Sequence, residues 1–278
     1  MALNKLVAGN WKMHGVASDL QEVKAAAEGA RRFPSVDVAL CVPATLIERA
    51  ARGVSGFAIG AQDVHFAEKG AHTGCASAAM LMDAGASLTI VGHSERRDAQ
   101  RERDADVKAK TEAALAAGLG VILCVGESLE VREAGDAVAI VDAQLEGSLP
   151  GGIADPASLS VAYEPIWAIS TGKVASRDDI AGMHAAVGVV AVRAFDLRRD
   201  PGVTVQIGAR HDGVLAIALR LGVAVGGVGA ALVAVARSGL VDLAVAVVVD
   251  AVAQNVGRGR FDRRIPVIAV LAAHLSGL

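Results

Sequence analysis

One stretch of the chain, Leu88-Thr-Ile-Val-Gly-His-Ser-Glu-Arg-Arg97, runs from an apolar strand-like segment through a Gly-His-Ser corner into a charged helical start. An imidazole at such a corner faces the positive end of the helix dipole. That disfavours a second proton and leaves a neutral ring able to donate one N–H to a substrate oxygen. Taken alone, His93 reads equally as a packed or capping residue; other titratable groups at the ends of other apolar runs give it company. These runs end in Asn10-Trp-Lys12, Gln62-Asp63, His93-Ser-Glu95, Cys124-Val-Gly-Glu127 and Glu164-Pro165. Each has an ordinary reading as well: Lys12 as a solvated cation, Glu164 as a helix-entry carboxylate, Cys124 as core filling. Together they suit the movement of a proton between adjacent carbons of a hydroxy-carbonyl compound, which needs a base on one face and electrophiles at the oxygens. Glu164 is the candidate base, because a carboxylate lifted in pKa by a dry site can abstract a carbon-bound proton. His93 polarises the carbonyl, and Lys12 supplies positive charge where negative charge develops. The Asn10 amide can hold Lys12 and a substrate oxygen. Glu95 falls beside Lys12 and His93, with a purely structural role as its alternative.

The elements that must position these groups alternate strictly. Strands are predicted over 6–11, 36–42, 57–62, 87–92, 120–125 and 159–163. Helices are predicted over 18–32, 44–52, 76–84, 104–117, 137–149 and from Arg177 onward. A polar, glycine-punctuated loop fills 63–73. Such a βα alternation implies a parallel sheet with helices outside, and so many units in one chain favour closure into a (β/α)8 barrel. Near-continuous apolar strands fit burial on both faces. In a barrel of this kind the active site forms at the C-terminal strand ends, where the polar groups above converge.

Length and charge bound the alternatives. At 278 residues the chain suffices for one large α/β barrel or two small domains. The barrel domain is expected over 1–250, with 251–278 as a C-terminal extension. A net charge of −3 and a pI near 6.2 give nucleic acid or an acidic membrane no electrostatic handle. Cys41, Cys75 and Cys124 are too few and too scattered for a disulfide framework or a zinc site, so no metal is expected and a reducing cytoplasm is the economical location. The N-terminal residues lack the apolar run of a signal peptide and read as the approach to the first strand. Mean hydropathy is high at +0.44. Its source is the uncharged run 221–236, which falls short of the roughly 20 residues of a membrane span. Glycines 222, 226, 227 and 229 interrupt that run, and buried barrel elements are the preferred reading over a membrane helix.

Six segments carry a resemblance. Ala8-Gly-Asn-Trp-Lys-Met13, Gly60-Ala-Gln-Asp63, Gly70-Ala-His-Thr-Gly74, Val91-Gly-His-Ser-Glu-Arg-Arg97, Leu123-Cys-Val-Gly-Glu127 and Ala162-Tyr-Glu-Pro-Ile-Trp-Ala-Ile-Ser-Thr-Gly-Lys173 resemble the triosephosphate isomerase family, in its order and spacing, across residues 3 to about 184. The resemblance implies interconversion of dihydroxyacetone phosphate and glyceraldehyde 3-phosphate through an enediolate, without a metal or an organic cofactor, in a homodimer. A glutamate base with a neutral histidine is the established pairing of that family. By the same resemblance Asn10 and Lys12 contact substrate, 165–173 is a lid that closes over the phosphate, and Gly172 donates a backbone N–H to it. Thr73, in a loop that inserts into a partner subunit, and Arg96 belong to the dimer interface.

Departures from the family pattern gather in the last third. Ser170 stands at a place usually held by glycine, and Cys75 replaces the glutamate that normally pairs with the arginine matching Arg96, which weakens the expected interface. The seventh strand end reads Ile207-Gly-Ala-Arg210 where the family has Tyr-Gly-Gly-Ser, and the eighth is sought near Val225-Gly-Gly-Val-Gly229 or Val228-Gly-Ala-Ala231. Phosphate contacts are therefore assigned to Arg210, Gly226 and Gly227, with the guanidinium of Arg210 standing in for a backbone cradle. Val203 to Ile207 followed by Val214 to Leu221 reads as strand then helix. Three accounts of this third stay open: a diverged but folded barrel end, a misread segment, or a retired isomerase acting by binding or as a scaffold.

Overall fold

The computed structural model describes residues 5–151, 153, 158–169, 173–194, 203–206, 216–223 and 268–272; beyond residue 187 only the backbone path is described. Strands β1 (Lys5–Asn10), β2 (Val36–Cys41), β3 (Ala58–Ala61), β4 (Leu88–Val91), β5 (Gly120–Val125) and β6 (Leu159–Tyr163) lie side by side in chain order, each parallel to the next. Helices return the chain between them: α1 (Leu20–Ala30), α2 (Ile47–Gly53), α3 (Ala78–Asp83), α4 (Ser94–Ala99), α5 (Asp104–Ala117), α6 (Leu129–Glu133), α7 (Ala137–Ser148) and, after β6, α8 (Arg177–Ala194). The expected βα units are present over this part of the chain, and α5 and β5 start and stop at the expected residues.

Both faces of the strands are buried, and the two-residue strand period separates two cores. Leu6 and Ala8, Ala39 and Cys41, Leu88 and Ile90, Ile122 and Cys124, with Ala162, form one apolar cluster. The alternate residues, including Leu40, Ile59, Val91, Val121, Leu123 and Val161, pack with helix residues such as Val23, Ile47, Val107, Val141 and Ile180 in the other.

The described strands of the last third depart from the parallel order. Strand β7 (Val203–Gln206) and strand β8 (Ala216–Val223) pair antiparallel, β8 is also antiparallel to β6, and β9 (Ile268–Ala272), within the expected extension, runs antiparallel to β8 and parallel to β1. The helix expected over 214–221 is therefore strand β8. Its larger apolar residues Ile217, Leu219, Leu221 and Val223 fall at every second position, the strand period. Helix α6 was not expected; Ser128 caps it by accepting from the Val131 N–H at 3.3 Å. Among the described residues no helix is long and apolar enough to cross a membrane.

His184 of α8 is 5% exposed and meets Tyr163 edge-on, and its Nε2 has no hydrogen-bond partner among the described residues. Burial pushes its pKa from the ordinary 6.5 down to about 3. The folded chain keeps this ring neutral while the unfolded chain takes up a proton below the ordinary value. Stability is therefore fully present above that value and falls as pH is lowered, by about 1.4 kcal/mol per pH unit. Between about pH 6.5 and 5 this ring is expected to account for a loss of about 2 kcal/mol in urea unfolding, read as the difference between the native chain and His184→Leu.

Candidate active site

The C-terminal ends of β1, β4 and β6 carry Asn10, His93 and Glu164, all buried. His93 is the N-cap of α4, and its Nδ1 accepts the backbone N–H of Glu95 at 3.2 Å. The proton of a neutral ring then sits on Nε2, which lies 2.8 Å from Glu164 Oε1. The other oxygen of Glu164 accepts the backbone N–H of Ser94 at 2.8 Å. Burial pushes the Glu164 pKa up; His93, the Ser94 N–H and Lys12 outweigh it, and the carboxylate stays ionised below its ordinary range. For His93, burial works downward and the adjacent Glu164 carboxylate upward, with a net rise while the two are paired. A second proton on Nδ1 would still have to displace the Glu95 N–H.

Glu164 reaches His93 because two strand ends approach closely. The Glu164 N–H donates to the Val125 carbonyl at 2.8 Å, and a Cβ added at Gly126 would stand 2.0 Å from the Glu164 carbonyl oxygen. Only glycine fits there. Gln144 of α7 holds the peptide groups on both sides of Gly126, accepting its N–H at 3.0 Å and donating to its carbonyl at 2.9 Å.

Lys12 has a positive φ of 52°, uncommon outside glycine. Its N–H donates to Asn10 Oδ1 at 2.8 Å and its carbonyl accepts from Gln62 Nε2 at 2.8 Å, while the same Gln62 nitrogen lies 3.2 Å from Asn10 Oδ1. The backbone turn is thereby held from both sides. The Lys12 ammonium donates to Glu95 Oε1 at 2.7 Å, and Glu95 is half in solvent. The structure thus brings Asn10, Lys12, His93, Glu95 and Glu164 to one mouth. Gln62, Ser94 and Gln144 join them; Gln62 and Ser94 stand at strand ends in the sequence, and Gln144 had no such signal.

The stretch read as a lid is tied down where it is described. Glu127 Oε1 accepts from Tyr163 Oη at 2.8 Å, Trp167 Nε1 at 2.9 Å and Arg132 at 3.0 Å, with the Arg132 guanidinium 4.3 Å above the Trp167 ring. Arg132 also pairs with Asp179, and Lys173 lies 3.3 Å from Glu133. Ser170 and Gly172 lie outside the described residues, as do Arg210, Gly226 and Gly227.

Thr73 is exposed on the loop after β3, whose His65 ring stacks on Phe66 and lies 4.0 Å from His72. Arg96 is paired within its own chain, to Asp63 at 2.8 Å and Glu102 at 2.7 Å, and Lys110 completes the network at 2.6 Å from each carboxylate. Cys75 in place of glutamate therefore leaves no stranded arginine. Among the described residues no cluster of three or more His, Cys, Asp or Glu side chains is arranged to hold a metal ion.

Comparison with known proteins yields one family. A family profile described as triosephosphate isomerase matches residues 5–243. The chain is 54% identical over 192 residues to a triosephosphate isomerase of Ruegeria sp. (strain TM1040), covering 69% of this chain and 77% of that one. It is 45% identical over 232 residues to that of Hyphomonas neptunium, covering 80% and 92%. The crystal structure of triosephosphate isomerase from Bartonella henselae superposes with a TM-score of 0.63 at 42% identity, covering 69% of this chain and 77% of that one.

Proposed function

The chain belongs to the triosephosphate isomerase family, and from that premise we propose that it interconverts dihydroxyacetone phosphate and D-glyceraldehyde 3-phosphate through an enediolate, with Glu164 as base and His93 and Lys12 as electrophiles. The observation that carries this reading is the meeting of the Glu164 carboxylate and His93 Nε2 at 2.8 Å, at a mouth that also holds an ammonium group. No described residue favours the alternative of a barrel that only binds.

The arrangement suggests how substrate binding makes a base. At 2.8 Å there is no room for substrate between His93 Nε2 and Glu164 Oε1, so binding parts them. Glu164 then gives up the partners that hold its pKa down, while burial, which pushes it up, remains. The carboxylate becomes basic enough to take the carbon-bound proton. His93 turns its Nε2–H to the carbonyl oxygen, with Nδ1 still occupied by the Glu95 N–H. Lys12 stabilises the enediolate oxygen and the phosphate, and Asn10 orients Lys12. Glu95 positions Lys12. Closure of 165–173, with Gly172 donating to the phosphate, keeps water from the intermediate. Arg210, Gly226 and Gly227 are the candidates for the remaining phosphate contacts. No metal or organic cofactor is assigned.

Purified protein given glyceraldehyde 3-phosphate in D2O tests this directly. Dihydroxyacetone phosphate carrying carbon-bound deuterium is the expected product by NMR; no exchange from a cooperatively folded sample would overturn the reading.

The chain is assigned to a homodimer of the cytoplasm. Phe66, Thr73 and Cys75 are exposed on the loop after β3, and Met13, Val16, Met80 and Met82 are exposed as well, which leaves apolar side chains for a partner to cover. With Arg96 paired internally, association draws on apolar burial and is expected to resist salt. Sedimentation at micromolar concentration should give a dimer in both 0.1 M and 1 M salt; a monomer in either would overturn the assignment.

A further inference from the structure

We propose that Arg97 is a positioning residue for His93, a clamp that fixes the peptide groups around the imidazole and its distance from Glu164. The proposal rests on the isomerase reading above for its kinetic consequence. Arg97 lies in the last turn of α4, with its side chain 14% exposed. Its Nε donates to the carbonyl of Gly92 at 2.8 Å, the oxygen of the peptide that carries the His93 nitrogen. The carbonyl on the other side of His93 accepts the backbone N–H groups of Arg96 and Arg97 at 2.9 and 3.0 Å. Both peptides flanking the histidine are thus held by one short turn. With the backbone fixed, the Glu95 N–H sets the ring through Nδ1 and directs Nε2 at the reacting atoms.

The remaining donors of the guanidinium reach away from α4. Nη1 lies 2.5 Å from Asp104 Oδ1, and Nη2 donates to Ser148 Oγ at 3.1 Å and to the Cys124 carbonyl at 3.4 Å. A planar fork with donors on three nitrogens can meet these acceptors together; an ammonium cannot. The contact with Cys124 matters for geometry. The next carbonyl of β5, that of Val125, accepts the N–H of Glu164, so the base is tied to the same strand end that Arg97 grips. Gly92 completes the device, with φ of +66°. A Cβ there would stand 2.8 Å from the Val107 side chain, 3.0 Å from Arg97 Nη2 and 3.1 Å from the Cys124 oxygen, crowding the guanidinium as well as the core beside it. A contact serving only helix packing would need Asp104 and Ser148; the two strand-end carbonyls are what joins Arg97 to the chemistry.

The test compares Arg97→Met, Arg97→Lys and Ser148→Ala with the native chain. A misplacement near 1 Å costs roughly 10²-fold, so Arg97→Met is expected to lower kcat by about that factor with KM within about twofold, and Arg97→Lys to recover part of it. Ser148→Ala keeps the Gly92 contact, so it should lower Tm and leave kcat unchanged. The separating readout is 15N NMR of the imidazole, with His93→Gln used to assign the signal. The native ring is expected as a single Nε2–H tautomer, and Arg97→Met as a mixture. Loss of kcat with the tautomer unchanged in Arg97→Met, or in Arg97→Lys if the first variant does not fold, would reduce Arg97 to a packing role and overturn the proposal. So would unchanged kcat with an unchanged tautomer. The imidazole signal needs no turnover, so it decides the clamp even for a chain that fails to isomerise triose phosphates.

Discussion

Glu164→Gln is expected to lower kcat by about three to four powers of ten, the upper part of the range for removal of a positioned general base. The amide keeps the size of the carboxylate and can accept either the His93 Nε2–H or the Ser94 N–H, but its NH2 then faces the other donor. That mismatch costs about 1 kcal/mol, a fall in Tm of only about 2–4 °C for a chain of this size. A large kinetic loss with a small thermal one is the signature of a group used in the reaction. The variant also serves as the control for deuterium incorporation, because a contaminating host enzyme would be untouched by it. Retention of more than a tenth of the native kcat in a folded sample would remove Glu164 from the role of base.

Lys12→Met is expected to lower kcat/KM by about 10²–10³-fold, the effect of deleting one preorganised electrostatic contact to a developing anion. Met retains the stem and loses only the charge. The ion pair with Glu95 contributes little to folding, since Glu95 is 56% exposed and such pairs are worth about 0–1 kcal/mol. The strained backbone at residue 12 is held by Asn10 and Gln62 whichever side chain it bears. Stability is therefore expected to stay within about 1 kcal/mol of native in urea unfolding. An unchanged kcat/KM would assign the stabilising charge to another group.

The parts of this fold visible in the sequence are those governed by local pattern. Strands β1 to β6 announce themselves because they are largely buried on both faces, so each run is mainly apolar, and most stop at polar residues. Helix α5 is bounded by Asp104 in its first turn and by Gly118 in the left-handed conformation after its last. Helix α6 escaped because a five-residue turn has no period to display. Strand β8 was misassigned because Ala and Leu serve helix and strand alike, and its direction depends on distant partners, Ser160 to Tyr163 on one side and Ile268 to Val270 on another.

The site divides in the same way. Asn10, Lys12, His93 and Glu164 were legible because a polar or titratable residue at the end of an apolar run is conspicuous. The roles of Ser94, Gln144 and Arg97 were not. Each acts through a contact made far along the chain, Ser94 with Glu164, Gln144 with Gly126, and Arg97 with Cys124. Arg96 shows the limit from the other side. Reading position 75 alone suggests an arginine that has lost its carboxylate, but Asp63 and Glu102 already hold it within the chain.

The order of the first six strands also has a consequence in time. Each pairs with the strand made just before it, so a chain growing from its N-terminus always offers a finished edge to the next arrival. At a synthesis rate of roughly 5–20 residues per second, Asn10 precedes Glu164 by roughly 8–30 s. The base is the last of the proton-handling groups to be made, and the Ser94 N–H and His93 are synthesised before the carboxylate they receive.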